Sequence, residues 1–197
     1  MSVAASPWRH GANGVLLAAI LAIAALVLHS TPSREAQQSA IVVPGVIGEP
    51  VSGRNIRTTV HSVAAAESVT AGNGWAGSTP GIWVVVDLTV QALVDDENTA
   101  LGTAVLRVGD VSFSASTRPQ NGTVATEQLA TGVPLSGPLM FEVPADIVAG
   151  PAATTAKLEF ATDSDPRVDS LLVVPVDLTA LVVRPDLEVD FPEWGAR

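Results

Sequence analysis

Two periodicities divide this chain. Val15–Leu28 (VLLAAILAIAALVL) is apolar on every side, with no polar position recurring. Beyond about residue 50, apolar and polar positions alternate over short stretches broken by Gly and Pro. An unbroken apolar run reads as a helix in lipid, and alternation with period two reads as a strand with one face on a core. The sharpest alternation is Gly81–Leu93 (GIWVVVDLTVQAL). Ile82, Val84, Val86, Leu88, Val90 and Ala92 fall on one face, and Trp83, Val85, Asp87, Thr89 and Gln91 on the other. This pattern predicts a central, half-buried strand facing Leu139, Phe141 and Val143 of a later one.

The other predicted elements are shorter. Ile56, Thr58 and Val60 alternate with Arg57, Thr59 and His61 in a run continuing to Val63. Ala64–Thr70 fits a helical turn or a second strand, and Gly-rich Ala71–Pro80 reads as loop. Ala104–Val108 and Val111–Ala115 flank Gly109–Asp110, a hairpin in which Gly supplies the positive φ of a type II′ turn. Leu139–Val143, Ala156–Ala161, Leu171–Val176 and Leu178–Val183 complete seven or eight strands, with Pro175 marking an edge, bend or bulge. No long amphipathic helix interrupts them. The expected fold is an all-β antiparallel sandwich behind one N-terminal helix.

A spanning helix needs about 20 apolar residues. Gly11–Thr31 supplies that length, carries no Asp, Glu, Lys or Arg, and is stopped by Pro32. Arg9 precedes it, while Arg34 beyond it is followed at once by Glu35. The positive-inside bias then places residues 1–10 in the cytoplasm, 11–31 in the bilayer as a signal-anchor, and the rest outside the cell membrane. A cleaved signal peptide is the competing reading. Its cleavage site fits poorly, because cuts after Ser30, Ala36 or Ala40 put Leu28, Arg34 or Gln38 where a small residue belongs. Residues 32–48 read as a tether, 49–185 as the sandwich, and 186–197 as a C-terminal tail.

Composition narrows the chemistry. There is no cysteine, which removes disulfides, thiolate catalysis and cysteine metal sites. Past residue 40, where Arg9, Arg34 and Glu35 drop out, acids outnumber bases 19 to 8. Such a surface repels phosphate backbones and anionic headgroups, so no nucleic-acid partner is expected. The Ala, Val, Gly and Arg content suggests a GC-rich bacterial genome.

Trp83–Gln91 (WVVVDLTVQ), Leu106–Phe113 (LRVGDVSF) and Gly137–Pro144 (GPLMFEVP) resemble the bacterial telokin-like, immunoglobulin-like domain of unknown function found in secreted and membrane-anchored proteins. The likeness covers about residues 50–180. It implies an immunoglobulin-like sandwich, with neither an enzyme activity nor a known ligand.

Candidate sites are few. Of three histidines only His61 lies in the β-region, too little for a Ser–His–acid constellation, and an exposed strand histidine is the simpler reading. Asp95, Asp96 and Glu97 follow the long strand, and Asp163 and Asp165 form a second acidic stretch near Asp169. If the two loops met at one end of the sandwich they could share Ca²⁺, but neither has the Gly and terminal Glu of an EF-hand loop, so solvated turns and no metal or cofactor are expected. Trp75, between Gly74 and Gly77, and Trp194 each read as an exposed binding contact or as a cover over an open sandwich end. The expectation is a non-enzymatic, membrane-anchored interaction or accessory module of the cell envelope. Its partners are the bilayer, through residues 11–31, and another envelope or membrane protein. A small-ligand or ion-binding accessory protein is the alternative, and a hydrolase is disfavoured.

Overall fold

The computed structural model describes residues 7–30, 38–94 and 99–195, in two units that divide between Ser39 and Ala40. In the first unit, helix α1 (Pro7–Ser30) is 24 residues long. At about 1.5 Å per residue it is long enough to cross a hydrocarbon core. Within it, Gly11–His29 has a mean hydropathy of 2.4 and no buried residue.

The second unit is a β-sandwich of two sheets. Its strands are β1 (Ile41–Pro44), β2 (Pro50–Ser52), β3 (Ile56–Ala71), β4 (Ala76–Ala92), β5 (Thr103–Val108), β6 (Val111–Ser114), β7 (Leu135–Val143), β8 (Ala156–Ala161), β9 (Ser170–Val176), β10 (Val183–Val189) and β11 (Glu193–Trp194). Sheet I has the order β1-β9-β8-β5-β6. Sheet II has the order β10-β3-β4-β7-β11, with β2 pairing the start of β3. All pairings are antiparallel except β1 with β9 and β10 with β3.

Strand β4 is central in sheet II, as its alternation predicts. Val84, Val86 and Leu88 are buried, and β4 pairs with β7 at Ile82–Val143, Val84–Phe141 and Val86–Leu139. These side chains meet Leu106, Leu158, Phe160, Leu172 and Val174 of sheet I in the main core. The β5–β6 hairpin turns on Gly109 at φ 59°, a backbone that costs glycine nothing.

Among the described residues, eleven strands stand where seven or eight are expected, and Leu178–Ala180, read as the start of a strand, is a 3-10 turn. Three further expectations need correction. First, the folded unit is longer than 49–185. Ile41–Pro44, assigned to the tether, is the edge strand of sheet I, and the segment after residue 185 supplies most of β10 and all of β11. Second, Ala71–Pro80 is mostly strand, because β3 and β4 stay paired out to Thr70–Ala76. Third, the polar face assigned to β4 is not solvated throughout. Trp83, Val85, Met140, Ala66, Val69 and Ala71 form a second buried cluster there, with Trp75, Leu187 and Val189 packed against it. Sheet II thus buries apolar residues on both faces. Its outer face is covered by the chain itself, through the β3–β4 tip and the C-terminal segment.

Pro175 and Pro138 sit where no ladder bond is lost. Pro175 lies past the last β1–β9 pair, at Val173. Pro138 lies past the β11 pairing, which ends at Ser136, and its carbonyl accepts from Thr123 Oγ1 at 2.8 Å.

Candidate functional site

The tip of the β3–β4 hairpin is tied down by one asparagine. Asn73 Oδ1 accepts the Trp75 amide N–H at 2.9 Å. Asn73 Nδ2 donates to the Pro119 carbonyl at 2.7 Å and to Asn121 Oδ1 at 3.0 Å. Trp75 folds back over Gly77, where a Cβ would collide with its ring. It meets Trp83 edge-on, with ring centroids 5.7 Å apart and planes at 88°. The Arg118 guanidinium lies 5.6 Å from the Trp75 ring and 5.4 Å from that of Trp83. Its Nη1 donates to Glu142 Oε2 at 2.8 Å, and Ser116 Oγ donates to Glu142 Oε1 at 3.2 Å. Trp75 is therefore a half-buried cover on the second cluster. Trp83 Nε1 is buried, with no hydrogen-bond partner among the described residues.

Trp194 remains 50 % exposed, on β11 opposite Leu135. Nearby, the Gly195 amide donates to the Pro134 carbonyl at 2.9 Å, and Thr131 Oγ1 donates to the Val94 carbonyl at 3.3 Å. Exposed Val133 and Val94 thus belong to the same end of sheet II.

The acidic candidates fall into two groups. Asp95, Asp96 and Glu97 lie outside the described residues. Asp163 Oδ1 accepts the Asp165 amide at 3.0 Å. Arg167 Nε reaches Asp165 Oδ1 and Oδ2 at 2.9 and 2.8 Å, and this hydrogen bonding holds the Asp165 carboxyl below the usual carboxylate range. Asp169 Oδ2 accepts from Asn55 Nδ2 at 2.6 Å, and the Asn55 carbonyl accepts the Leu93 amide at 2.8 Å. Asn55 therefore brings the end of β4 and the 162–169 loop to the same end of the sandwich. Among the described residues, no group of three or more His, Asp or Glu side chains is arranged to hold a metal.

Three features escaped sequence reasoning, because each depends on strand register. His61 Nε2 lies 2.7 Å from Thr89 Oγ1, which lies 2.7 Å from Ser136 Oγ. Ser136 is fully buried, so this row offers a substrate no serine hydroxyl. A cavity of about 270 Å³ opens on the outer face of sheet II, with Val85, Pro138 and Leu187 on its apolar side and Asp87, Arg184 and Glu188 on its polar side. On sheet I, Arg107 makes a bidentate pair with Glu159, Nε–Oε1 2.7 Å and Nη2–Oε2 2.9 Å. Paired charges on neighbouring strands are a cross-strand signal, but Val105–Glu159 and Arg107–Lys157 register had to be known first.

No family model matches the chain, and no curated protein matches it. Two solved structures are similar. One is a candidate lipoprotein from Staphylococcus aureus subsp. aureus NCTC 8325, 9 % identical, covering 73 % of this chain and 97 % of its own, with a TM-score of 0.46. The other is an uncharacterised β-sandwich protein from Clostridium difficile 630, 10 % identical, covering 74 % of this chain and 99 % of its own, with a TM-score of 0.49. The fold described above rests on strand register.

Proposed function

We propose that the chain is a membrane-anchored, non-enzymatic accessory module of the cell envelope. Its N-terminus lies in the cytoplasm, and its sandwich stands outside the membrane to engage another envelope protein. One observation carries this reading. Gly11–His29 is a helix long and apolar enough to cross a membrane, with a mean hydropathy of 2.4, so its surface suits lipid. We read the carboxylates held by arginines as structural groups. Glu142 and Glu159 are paired with arginines, as is Asp165. We read the pairing of Trp83–Gln91 with Gly137–Pro144 as that of a telokin-like, immunoglobulin-like sandwich.

The test is alkaline carbonate extraction of membranes from expressing cells, with N-terminal sequencing and protease treatment of spheroplasts. The anchored protein stays in the pellet, retains residues 1–30 and loses its C-terminal domain to external protease. A mature N-terminus between Thr31 and Ile41, with release into the supernatant, overturns the anchor. The 270 Å³ cavity favours a second reading, a small-ligand-binding accessory protein. Ligand-dependent shifts in melting temperature that Val85→Trp abolishes would support it.

A further inference from the structure

Both sheets carry apolar residues on their outer faces, but only one of those faces is covered. On sheet II, the tip and the C-terminal segment bury Trp83, Val85 and Met140. On sheet I, the inward residues are Leu106, Leu158, Phe160, Leu172 and Val174, all in the main core. Alternation sends Val105, Leu171 and Val173 outward, with Val42 and Pro44 beside them on β1. An antiparallel sheet with a solvated face usually presents polar residues there. Here Val42 is 59 % exposed, and Val105, Leu171 and Val173 are half-buried without joining the core.

The charges on this face differ from those on the rest of the domain. Glu159 sits between Val105 and Val173 and is held by Arg107. The next row places Lys157 between Arg107 and Pro175. Two cations therefore meet one paired carboxylate, in a domain where acids outnumber bases 19 to 8. Arg107, Lys157, Thr155 and Gly109 line a hollow of about 180 Å³. Strand β1, at the edge of this face, is the first strand after α1, with ten residues between them. Ten residues reach at most about 35 Å.

From the uncovered apolar strip, its adjoining cations and its continuity with the anchor, we infer that the outer face of sheet I lies against the lipid bilayer. Val42, Leu171 and Val173 meet the headgroup–acyl boundary, and Lys157 and Arg107 face lipid phosphates. The inference rests on the anchored reading and adds the face the domain turns to the membrane. Apolar contact supplies the attraction and Lys157, beside the neutral Arg107–Glu159 pair, sets its preference for anionic lipid.

The chain has no cysteine, so single-cysteine labelling is clean. The full chain carrying Val173→Cys, Leu171→Cys or, on exposed β10, Asp186→Cys is labelled with bimane. It is reconstituted into nanodiscs of phosphatidylcholine with phosphatidylglycerol and doxyl-labelled lipid. Labels at 173 and 171 should be quenched several-fold more than the label at 186, and less so when Lys157→Glu is added or phosphatidylglycerol is omitted. Equal quenching at all three positions overturns the inference while leaving the anchor intact. Shielding of 173 from aqueous acrylamide that persists in detergent and grows with protein concentration assigns the face to a second copy, and also overturns it. A chain that fails to co-elute with nanodiscs overturns the anchored reading itself, and the inference with it.

Discussion

Thr58 offers a sharp test of how the main core is packed. It lies on the inward side of β3, opposite Val51 on β2 and Val90 on β4, and is fully buried. Its Oγ1 has no hydrogen-bond partner among the described residues. In protein mutational data, a hydroxyl removed from water without a partner costs about 1–3 kcal/mol. Valine keeps the β-branched shape that a strand favours and replaces that oxygen with a methyl group. Thr58→Val should therefore stabilise the domain by about 1–2 kcal/mol, and a domain of this size gains roughly 2–4 °C per kcal/mol. Thr89→Val is the control. Thr89 Oγ1 lies 2.7 Å from both His61 and Ser136, and losing those contacts strands the buried Ser136 hydroxyl. That change should cost about 1–3 kcal/mol. Thermal melts of the full chain in detergent, followed by near-ultraviolet circular dichroism, read both. A Thr58→Val protein no more stable than the parent would refute the reasoning, since the hydroxyl would then have a partner.

Three further outcomes follow from other parts of the structure. Leu88→Ala, in the middle of β4 and fully buried, should cost about 2–5 kcal/mol in urea melts, and a loss under 1 kcal/mol would place Leu88 outside the core. Val168 holds φ 57° while 63 % exposed, so Val168→Gly should raise stability by about 0.5–1 kcal/mol, the left-handed cost of about 1–2 kcal/mol less glycine's entropic penalty; a destabilised variant would contradict this. The carboxyls of Asp165, bonded to Arg167, and Asp177, bonded to Thr179, are both depressed. Their stabilisation is present above the ordinary carboxylate pKa of about 4 and is lost as pH falls through the depressed folded values, so acid melts of Asp177→Asn should show a shallower decline below about pH 4 than the parent.

What the sequence reveals is set by the range of the interactions involved. Strict alternation in Gly81–Leu93 places Val84, Val86 and Leu88 on one face, and the structure buries them. Gly109–Asp110 locates a hairpin because a two-residue connection is a local event. By contrast, β1 and β10 join their sheets through parallel pairing across more than 100 residues. The string IVVP carries no period, and VRPDLEV alternates Val183, Pro185, Leu187 and Val189 with Arg184, Asp186 and Glu188 without saying which strand it joins. The second cluster is hidden for another reason. Alternation assigns Trp83 and Val85 to a face, but it does not say that Trp75 and Leu187 return to cover that face. Trp75 reads in the sequence as a contact or as a cover over an open sandwich end, whereas the Asn73 bonds and the Gly77 gap hold it against the outer face of sheet II. Glu159 looks solvent-facing from its place between Leu158 and Phe160, and its bidentate partner Arg107 is 52 residues away.

The strand edges limit how this domain makes contact. An open edge is a template for a further strand unless it is short, charged or blunted by proline. Edge strand β1 is four residues long and ends at Pro44, β2 is three residues long and opens on Pro50, and β10 carries Pro185 as its third residue. Edge strand β11 is two residues long, and β6 is four. The flank of β7 is covered instead, because its Pro138 and Met140 carbonyls accept from Thr123 Oγ1 and the Ser116 amide at 2.8 and 2.7 Å. Association by strand addition is thus discouraged at each of these edges, which leaves contact through sheet faces. The outer face of sheet II is largely occupied by the chain's own tip and C-terminal segment. The outer face of sheet I is not, so an outward apolar strip beside Arg107 and Lys157 is left with the surface it would need to stay out of water.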